Sequence, residues 1–416
     1  MRLLRFHRFL RWTVYSVLSG VLSGGAAAVF LWLLDWATQT RDQNLWLIWG
    51  LPLGGFLIGW VYHRYGGRVA SGNNLILDEI HDPKKIVPLR MAPFVLLGTV
   101  LTHLLGGSAG REGTAVQMGA SLSDQLSRFF RVEPDERKIL LMAGAGAGFG
   151  AALGTPWAGA LFGMEVLRVG RLRLFAWWEC LVSSFVAYGT ALLLKAPHTI
   201  YPRFEIPKWE TSTIFYIVMS GVFFGLSARL FVAMAHFVER WSAKLVVYSP
   251  LRPFGVGLLL ILFYRIEGSY RYVGLGLTRI QNALTSVSSL SEPVWKAFFT
   301  ALTVGSGFKG GEFIPLVFIG TTLGSALSAV FPISLQLLAG VGFAAVFAGA
   351  SNTPLACSIM AMEIFGPKMA PYALVACYVS FLFSGTQSIY KSQKYYADKW
   401  RWFRYLRGIL IDNVQT

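Results

Sequence analysis

Long apolar stretches recur along the chain, and they constrain its fold more than any other feature. Examples are Val14–Leu34, Pro93–Gly107, Ile214–Phe237, Pro253–Tyr264, Leu335–Ala350 and Pro371–Ser384. Several approach the roughly 20 residues that a membrane-spanning helix needs, and others are shorter and interrupted by glycine. Of the 416 residues, 54% are hydrophobic and 14% are charged, whereas soluble domains carry about a quarter charged residues. The sequence therefore predicts an all-α integral membrane protein with many tilted and broken helices, and it excludes a soluble fold.

The formal net charge of +16 comes mostly from the chain ends and from short loops. Residues 1–12 contain four arginines and no acidic residue, and residues 391–416 contain six lysines or arginines against two aspartates. Because positively charged segments stay on the cytoplasmic side, both termini are predicted to be cytoplasmic. The predicted location of the chain is the inner (plasma) membrane of a bacterial cell. This distribution favours a membrane topology in contact with lipid over nucleic-acid binding. An arginine-rich start before an apolar run is also typical of a signal peptide, but no convincing A-x-A-like cleavage site follows and the run is long enough to span a membrane, so the segment is interpreted as a retained helix.

The three cysteines are predicted to be packing residues. Cys180, Cys357 and Cys377 lie in apolar stretches and have no metal-ligand spacing. Free cysteine behaves as a small buried hydrophobe. We therefore expect no redox role, no metal site and no cofactor.

Two halves of the chain resemble each other. Ser19-Gly-Val-Leu-Ser-Gly24 recurs as Ser220-Gly-Val-Phe-Phe-Gly225, Gly107-Ser-Ala-Gly110 as Gly305-Ser-Gly-Phe308, and Thr155-Pro-Trp-Ala158 as Thr353-Pro-Leu-Ala356. The general small-residue composition of membrane helices is the alternative explanation. Three matches in the same order nevertheless favour an internal duplication, with residues 1–200 forming a first membrane repeat. Residues 201–416 would form the second repeat, ending in a short basic cytoplasmic segment.

Cytoplasmic termini at both ends require an even number of crossings, which two halves of odd span number would supply. Such halves are inverted relative to each other. Inverted repeats place the substrate near the membrane midplane, where broken helices point their partially positive N-termini at it. The interrupted segments 105–120 and 305–322 occupy corresponding positions, so they are predicted to form an anion site.

Two neighbouring charges interrupt the first of these segments. Arg111 and Glu112 lie between Gly110 and Gly113, and charges inside apolar segments are candidates for function. An ionised Glu112 can occupy the positive helix end as a tethered anion, and a protonated Glu112 can withdraw and admit a mobile one. Such a group couples anion movement to protons. The alternative is a structural ion pair between the two residues, and Arg111 is predicted to be structural.

Four motifs resemble those of the CLC chloride channels and antiporters. Gly107-Ser-Ala-Gly-Arg-Glu-Gly-Thr114 resembles the family's G-x-x-G-R-E-G-P motif, and Gly310-Gly-Glu-Phe-Ile-Pro315 resembles G-x-F-x-P. Tyr390 matches a tyrosine near the end of the membrane domain, and Ala70-Ser-Gly-Asn-Asn74 takes the place of G-S-G-I-P. The resemblance implies the CLC fold of two inverted-topology repeats and a homodimer with one pathway per subunit. It covers the chain from residue 70 to 390.

The resemblance also implies roles for individual residues. In the family, backbone N–H groups of G-x-F-x-P bind the anion, which places Glu312 and Phe313 at the site, beside the motif residues Gly311 and Pro315. The tyrosine hydroxyl that points at the central anion falls on Tyr390. Either Ser71 or Asn73 takes the place of the anion-coordinating serine.

Departures from the family pattern indicate a particular branch. Thr114 replaces the proline of G-R-E-G-P, and Asn73 and Asn74 replace Ile-Pro. Glu312 adds an acid inside the third motif, and Val166 stands where chloride/proton antiporters keep an internal proton-transfer glutamate. This combination resembles the fluoride/proton antiporter branch of the family.

The chemistry of fluoride gives a parallel argument. Fluoride is small, strongly hydrated and an exceptional hydrogen-bond acceptor, so only good donors can replace its water. The amides of Asn73 or Asn74, the Tyr390 hydroxyl and backbone N–H groups would provide that shell. Glu312 repels anions when ionised, so it is a candidate second proton carrier. The alternative is an ion pair between Glu312 and Lys309 three residues earlier.

Glu165 and Glu363 occupy equivalent places in the two repeats, each after a methionine near the end of an apolar stretch. That symmetry favours structural contacts at helix ends or in loops.

The leading hypothesis for the whole chain is proton-driven fluoride export that protects the cell, with no enzymatic activity. A chloride/proton antiporter or passive chloride channel of the same family is the first alternative. A membrane-embedded enzyme or signalling protein that uses Arg111 and Glu112 in catalysis is the second, but no combination of nucleophile and base supports it.

Overall fold

A computed structural model describes residues 2–207, 210–395 and 399. These residues form sixteen α-helices and one pair of short strands. The helices are α1 (Arg2–Gln43), α2 (Leu51–Val61), α3 (Asn73–His81), α4 (Met91–Leu104), α5 (Glu112–Phe129), α6 (Pro134–Leu153), α7 (Pro156–Glu165), α8 (Trp177–Leu193), α9 (Thr211–Leu245), α10 (Leu251–Glu267), α11 (Leu277–Ala283), α12 (Ser291–Ser306), α13 (Phe313–Leu327), α14 (Leu335–Ser351), α15 (Pro354–Phe365) and α16 (Ala370–Phe383). Strands β1 (Arg168–Val169) and β2 (Lys394–Tyr395) pair in parallel. Most of the basic C-terminal segment lies outside the described residues.

Three helical segments of the described chain are long and apolar enough to cross a membrane. They are Phe6–Gln43, Leu45–His81 and Thr211–Leu245. Several other apolar helices, such as α4 and α13, have only 14 and 15 residues. A helix rises about 1.5 Å per residue, so these cross only part of a bilayer. Broken helices were predicted, and they are confirmed.

The two repeats run through the membrane in opposite directions. We call the side at which α1 begins the first side. Helix α8 lies parallel to α1, because Trp178 Nε1 donates to Thr13 Oγ1 near the start of α1 (3.0 Å) and Trp32 Nε1 donates to the carbonyl of Lys195 (3.1 Å). The connection after α8 is therefore on the second side, and α9 starts there and runs back. The predicted inversion of the repeats is confirmed.

Corresponding glycines make corresponding contacts in the two repeats. A Cβ atom added to Gly24 of α1 would lie 2.3 Å from the Ala187 carbonyl oxygen of α8. One added to Gly225 of α9 would lie 2.6 Å from the Ser380 carbonyl oxygen of α16. Each repeat thus packs its first helix against its last through small residues, as membrane helices commonly do. This pairing supports the division into two repeats, while the boundary between residues 200 and 201 stays a prediction.

Two glutamates cap helices across the repeat interface. Glu165, at the end of α7, accepts hydrogen bonds from the N–H groups of Leu355 and Ala356 (3.0 and 2.7 Å) at the start of α15. Glu363 of α15 accepts from Trp157 and Ala158 (3.0 and 2.8 Å) at the start of α7. A carboxylate is favourable there because helix N-termini expose N–H groups and carry partial positive charge. The predicted structural role of this symmetric pair is confirmed.

The three cysteines are free and buried, as predicted.

Candidate functional site

The two interrupted segments meet at the centre of the molecule. Helix α4 ends at Leu104 and α5 begins at Glu112, while α12 ends at Ser306 and α13 begins at Phe313. Between them, Gly110 N donates to the Gly311 carbonyl (2.6 Å) and Gly311 N donates to the Gly110 carbonyl (2.8 Å). This antiparallel bridge joins the two repeats and brings the starts of α5 and α13 together. The sequence predicted that these segments share a site, and their contact supports it.

The bridge depends on the absence of side chains. A Cβ atom at Gly311 would lie 2.7 Å from Gly113 N, and one at Gly110 would lie 2.9 Å from the Gly311 carbonyl oxygen. Gly310 has φ of +155°, which favours glycine. Larger residues would force the two helix starts apart, which explains the glycine-rich motifs.

The converging helix starts provide backbone donors for an anion. The first N–H groups of a helix have no intrahelical acceptor, and each helix N-terminus carries about half a positive elementary charge. On α13 these groups belong to Phe313 and Ile314. Pro315 has no N–H, but as the third residue of the helix it would have no intrahelical acceptor for one, so no helix hydrogen bond is lost. The arrangement can hold a small anion between two helices of opposite direction.

Glu112 is the first residue of α5 and is 1% exposed. Its Oε2 accepts from the Arg111 N–H (3.2 Å), and its Oε1 lies 3.3 Å from Arg111 Nε. Arg111 is also buried, and its Nη2 donates to Thr199 Oγ1 (3.1 Å) in the α8–α9 connection. The ion pair that the sequence left as an alternative therefore exists. Pairing and gating are compatible, because a paired carboxylate at a helix start can still be displaced by protonation.

Thr114 takes part in a polar contact that the family's proline could not make. Its Oγ1 lies 2.7 Å from Thr99 Oγ1 of α4. One turn later on α4, the ring nitrogens of buried His103 lie 2.8 Å from the Thr99 carbonyl and 3.0 Å from the Ala109 carbonyl. These residues fasten the segment before Glu112 to α4. Thr99 and His103 were not predicted from the sequence, although polar residues in an apolar helix were a usable signal.

A cavity of about 200 Å³ lies on the first side of the two helix starts. Five of the predicted site residues line it: Ser71, Asn73, Asn74, Glu312 and Tyr390. Lys391 and Glu239 at its mouth form an ion pair. Glu112 and Phe313 are not among its lining residues, and Phe313 packs its ring against Phe149 and Phe347. Some of the predicted residues thus line the open cavity, whereas Glu112 and Phe313 are buried outside it.

The two asparagines at the start of α3 have different surroundings. Asn73 Oδ1 is buried and has no hydrogen-bond partner among the described residues, and its Nδ2 lies 3.3 Å from the position of a Cβ built on Gly113. Asn74 Oδ1 accepts from Ser392 N (3.1 Å) and so ties α3 to the segment that follows Tyr390. Ser71 is exposed and ends the helical turn before Gly72. Both candidates for the serine position, Ser71 and Asn73, line the cavity.

Glu312 makes no ion pair with Lys309 in the part of the chain that the structure describes. The Lys309 ammonium instead lies 4.0 Å from the centre of the Tyr62 ring, a cation–π contact. The ion pair between Glu312 and Lys309, the alternative to a proton-carrying role, is therefore absent from the described part of the chain. Glu312, which is partly buried, faces the cavity that Tyr390 also lines.

Gln117 is a further site residue that was not predicted from the sequence. It lies on α5 four residues after Gly113, is 8% exposed and lines the cavity beside Gly72. A second amide therefore stands near Asn73. Its signal in the sequence was a polar residue one helical turn after the Gly110–Gly113 motif, on the same face of α5.

The chain is similar to known proteins over most of its length. The sequence model of the family described as Voltage gated chloride channel matches residues 54–385. A "Chloride/fluoride channel protein" of Pseudomonas syringae pv. tomato is 47% identical over 390 residues, which are 92% of this chain and 86% of that protein.

Solved structures are similar as well. The crystal structure of a CLC-type fluoride/proton antiporter superposes with a TM-score of 0.91 at 31% identity, covering 94% of this chain and 99% of that one. A slow cyanobacterial Cl-/H+ antiporter superposes with a TM-score of 0.79, covering 90% and 94% of the two chains. Its identity of 23% makes that likeness one of fold alone.

Proposed function

Because the chain belongs to the voltage-gated chloride channel (CLC) family, we propose that it is a fluoride/proton antiporter, which exports fluoride from the cell and protects it from fluoride. The observation that carries this proposal is the set of donors in the cavity, where the side chains of Ser71, Asn73 and Tyr390 lead to the joined starts of α5 and α13. Amide, hydroxyl and backbone N–H donors suit fluoride, which releases water only to strong donors. The similarity to a fluoride/proton antiporter over nearly the whole chain supports the same substrate.

In the proposed mechanism Glu112 is the gate. As a carboxylate it occupies the positive start of α5, close to Arg111, and blocks the path as a tethered anion. Protonation removes its charge, so it leaves the helix start and fluoride from the cavity can take its place. Proton movement in one direction is thereby linked to fluoride movement in the other.

Glu312 is proposed as the second proton carrier, between Glu112 and the solution on the first side. It lies in the same cavity as Tyr390, and Lys309, the nearest basic residue in sequence, contacts Tyr62 instead. An ionised Glu312 beside the path would repel fluoride, so its protonation and the arrival of fluoride favour each other. Val166, at the place of an internal glutamate, lies with Phe162 and Tyr390 around a small apolar pocket.

The first side is proposed to be the cytoplasm of a bacterial cell, because the basic chain start lies there. Fluoride would then enter the cavity from the cytoplasm and leave on the second side. A homodimer with one pathway per subunit, embedded in the lipid of the inner membrane, completes the proposal. No enzymatic reaction is part of it.

A chloride/proton antiporter or passive channel is the second candidate, since one relative is named a chloride/fluoride channel protein. Purified protein in liposomes preloaded with either fluoride or chloride separates these functions, with an ion-selective electrode and an external pH probe. The antiporter predicts fluoride efflux with proton uptake and little chloride efflux. Chloride leaving as readily as fluoride would contradict the proposed substrate, and fluoride efflux without proton uptake would contradict the coupling.

A further inference from the structure

The connection between the two repeats lies over the gate on the second side. Arg111, which pairs with Glu112, reaches Thr199 of this connection through its Nη2 (3.1 Å). Gln281 of α11 donates to the carbonyl of Ile200 (2.8 Å). Residues 199–201 are therefore held by contacts from both the first and the second repeat.

Tyr201 ends this segment in a buried position. Its side chain is 9% exposed, and its ring packs edge-on against Phe343 of α14, with ring centres 4.9 Å apart, and against Phe365. Its hydroxyl is buried and has no hydrogen-bond partner among the residues the structure describes. A buried hydroxyl without a partner is costly, so native proteins seldom keep one without a use.

Arg111 links the segment that carries this hydroxyl to the gate. Its side chain pairs with Glu112 and donates to Thr199, two residues before Tyr201. Glu112 accepts from the Arg111 backbone at the start of α5, and no hydrogen bond joins its carboxylate to the Tyr201 hydroxyl among the described residues. An O–H donor beside a mobile carboxylate is a ready hydrogen-bond partner for it.

We propose that the Tyr201 hydroxyl is the extracellular hydrogen-bond partner of Glu112, donating to its carboxylate when that side chain leaves the start of α5. This inference rests on the proposed function, in which Glu112 must move. Tyr201 acts as a positioning residue: it holds the carboxylate on the extracellular side while a proton from the external solution adds to the carboxylate oxygen. The ring packing on Phe343 fixes the hydroxyl, and the Arg111–Thr199 contact fixes the segment that carries it.

Tyr201→Phe tests the proposal, because it removes only the hydroxyl and keeps the ring. We expect the rate of proton-coupled fluoride export from liposomes to fall about tenfold, the usual effect of losing one hydrogen bond to a charged group. Thermal stability in detergent should be unchanged or higher, because the lost hydroxyl has no partner in the resting structure. Unchanged export would overturn the inference, as would a slower rate explained by lost stability.

Tyr264→Phe is the matched control. The Tyr264 hydroxyl is also buried but donates to the Gly106 carbonyl (3.0 Å), so its removal leaves a buried acceptor without a donor. That variant should lose stability, whereas Tyr201→Phe should not. The contrast separates a structural hydroxyl from one that acts during transport.

A double variant tests whether Tyr201 acts through Glu112. In Glu112→Ala fluoride flux no longer depends on the gate, so adding Tyr201→Phe should leave that flux unchanged. Further slowing in the double variant would contradict a role through Glu112. The wild-type protein distinguishes the two proposals: absence of fluoride/proton antiport contradicts both, whereas normal antiport with an unaffected Tyr201→Phe contradicts this inference alone.

Discussion

At the scale of a single residue, Glu112 has two features with opposite effects on the charge of its carboxylate. It is almost fully buried, which disfavours a charge, yet it lies at a helix start beside Arg111, which favours one. A carboxylate in this position gains charge stabilisation only while it stays at the start of α5. Loss of its charge releases it, and that is the physical basis of the proposed gate.

Glu112→Gln should abolish proton coupling. Glutamine cannot release or take up a proton, so proton uptake that accompanies fluoride efflux should fall by about a hundredfold or more, as for the loss of other essential proton-transfer groups. Fluoride-loaded liposomes with an external pH probe measure this directly. Coupling that persists in the variant would remove Glu112 from the mechanism.

Glu312 and Lys309 can be separated by paired variants. Since Lys309 contacts Tyr62 and not Glu312, Glu312→Gln should lower proton-coupled transport while leaving the yield of folded protein intact. Lys309→Met should instead lower stability by about 0.5–2 kcal/mol through loss of the cation–π contact, and leave the coupling ratio unchanged. Size-exclusion profiles after heating and the liposome assay give the two readouts. Equal losses of folded protein with normal transport by the remainder would show that Glu312 is structural.

The sequence singled out five of the residues that line the cavity, among them Glu312 and Tyr390, because they belong to recognisable motifs. It could not predict that Lys309 contacts Tyr62 or that Arg111 reaches Thr199, because these contacts join side chains that are distant in sequence. Tyr201 gave no signal at all, since a tyrosine in a connecting segment is common. Only its packing shows that the hydroxyl is buried.

At the scale of helices, the mutual capping of α7 and α15 depends on one glutamate from each repeat. Each carboxylate satisfies two N–H groups at the start of the partner helix. The sequence predicted this symmetry from the matching Thr-Pro and Met-Glu positions. It did not predict that the contact is reciprocal, because that requires the antiparallel arrangement of α7 and α15.

Glu165→Gln should lower stability without affecting the coupling of protons to fluoride. Replacing a charged acceptor by a neutral one at a buried helix start costs about 1–3 kcal/mol. Glu363→Gln should cost less, because Glu363 is only partly buried, and exposed Glu205→Gln serves as the control. Thermal denaturation in detergent measures the three losses of stability, which should decrease from Glu165→Gln through Glu363→Gln to Glu205→Gln. A changed ratio of protons to fluoride in Glu165→Gln would instead assign that residue to proton transfer.

Helix lengths were less predictable than helix order. The sequence indicated an apolar stretch at Val14–Leu34, whereas α1 extends from Arg2 to Gln43. Apolar periodicity marks only the part of a helix that lies in lipid or protein, and polar turns continue it into the aqueous phase. The breaks before Glu112 and Phe313 were predicted well, because clustered glycines interrupt helices.

At the scale of the whole molecule, inversion of the repeats places equivalent helix ends on opposite sides of the membrane. Arg128 lies in the last turn of α5, and exposed Ala329 follows the end of α13. Arg128→Cys should therefore react with a membrane-impermeant thiol reagent from the first side only, and Ala329→Cys from the second side only. The three native cysteines are buried and should give little background. Labelling of both variants from one side would contradict the inverted arrangement.

The central claim is that a proton gradient moves fluoride in the opposite direction to the protons. The most direct test uses liposomes with equal fluoride on both sides, membrane potential held at zero by valinomycin and equal potassium, and an acidic exterior. The account predicts that fluoride leaves the vesicles and accumulates on the acidic side, against its own gradient. A passive channel would produce no net movement, and diffusion of neutral hydrogen fluoride would carry fluoride inward. Either result in place of fluoride accumulation outside would contradict fluoride/proton antiport.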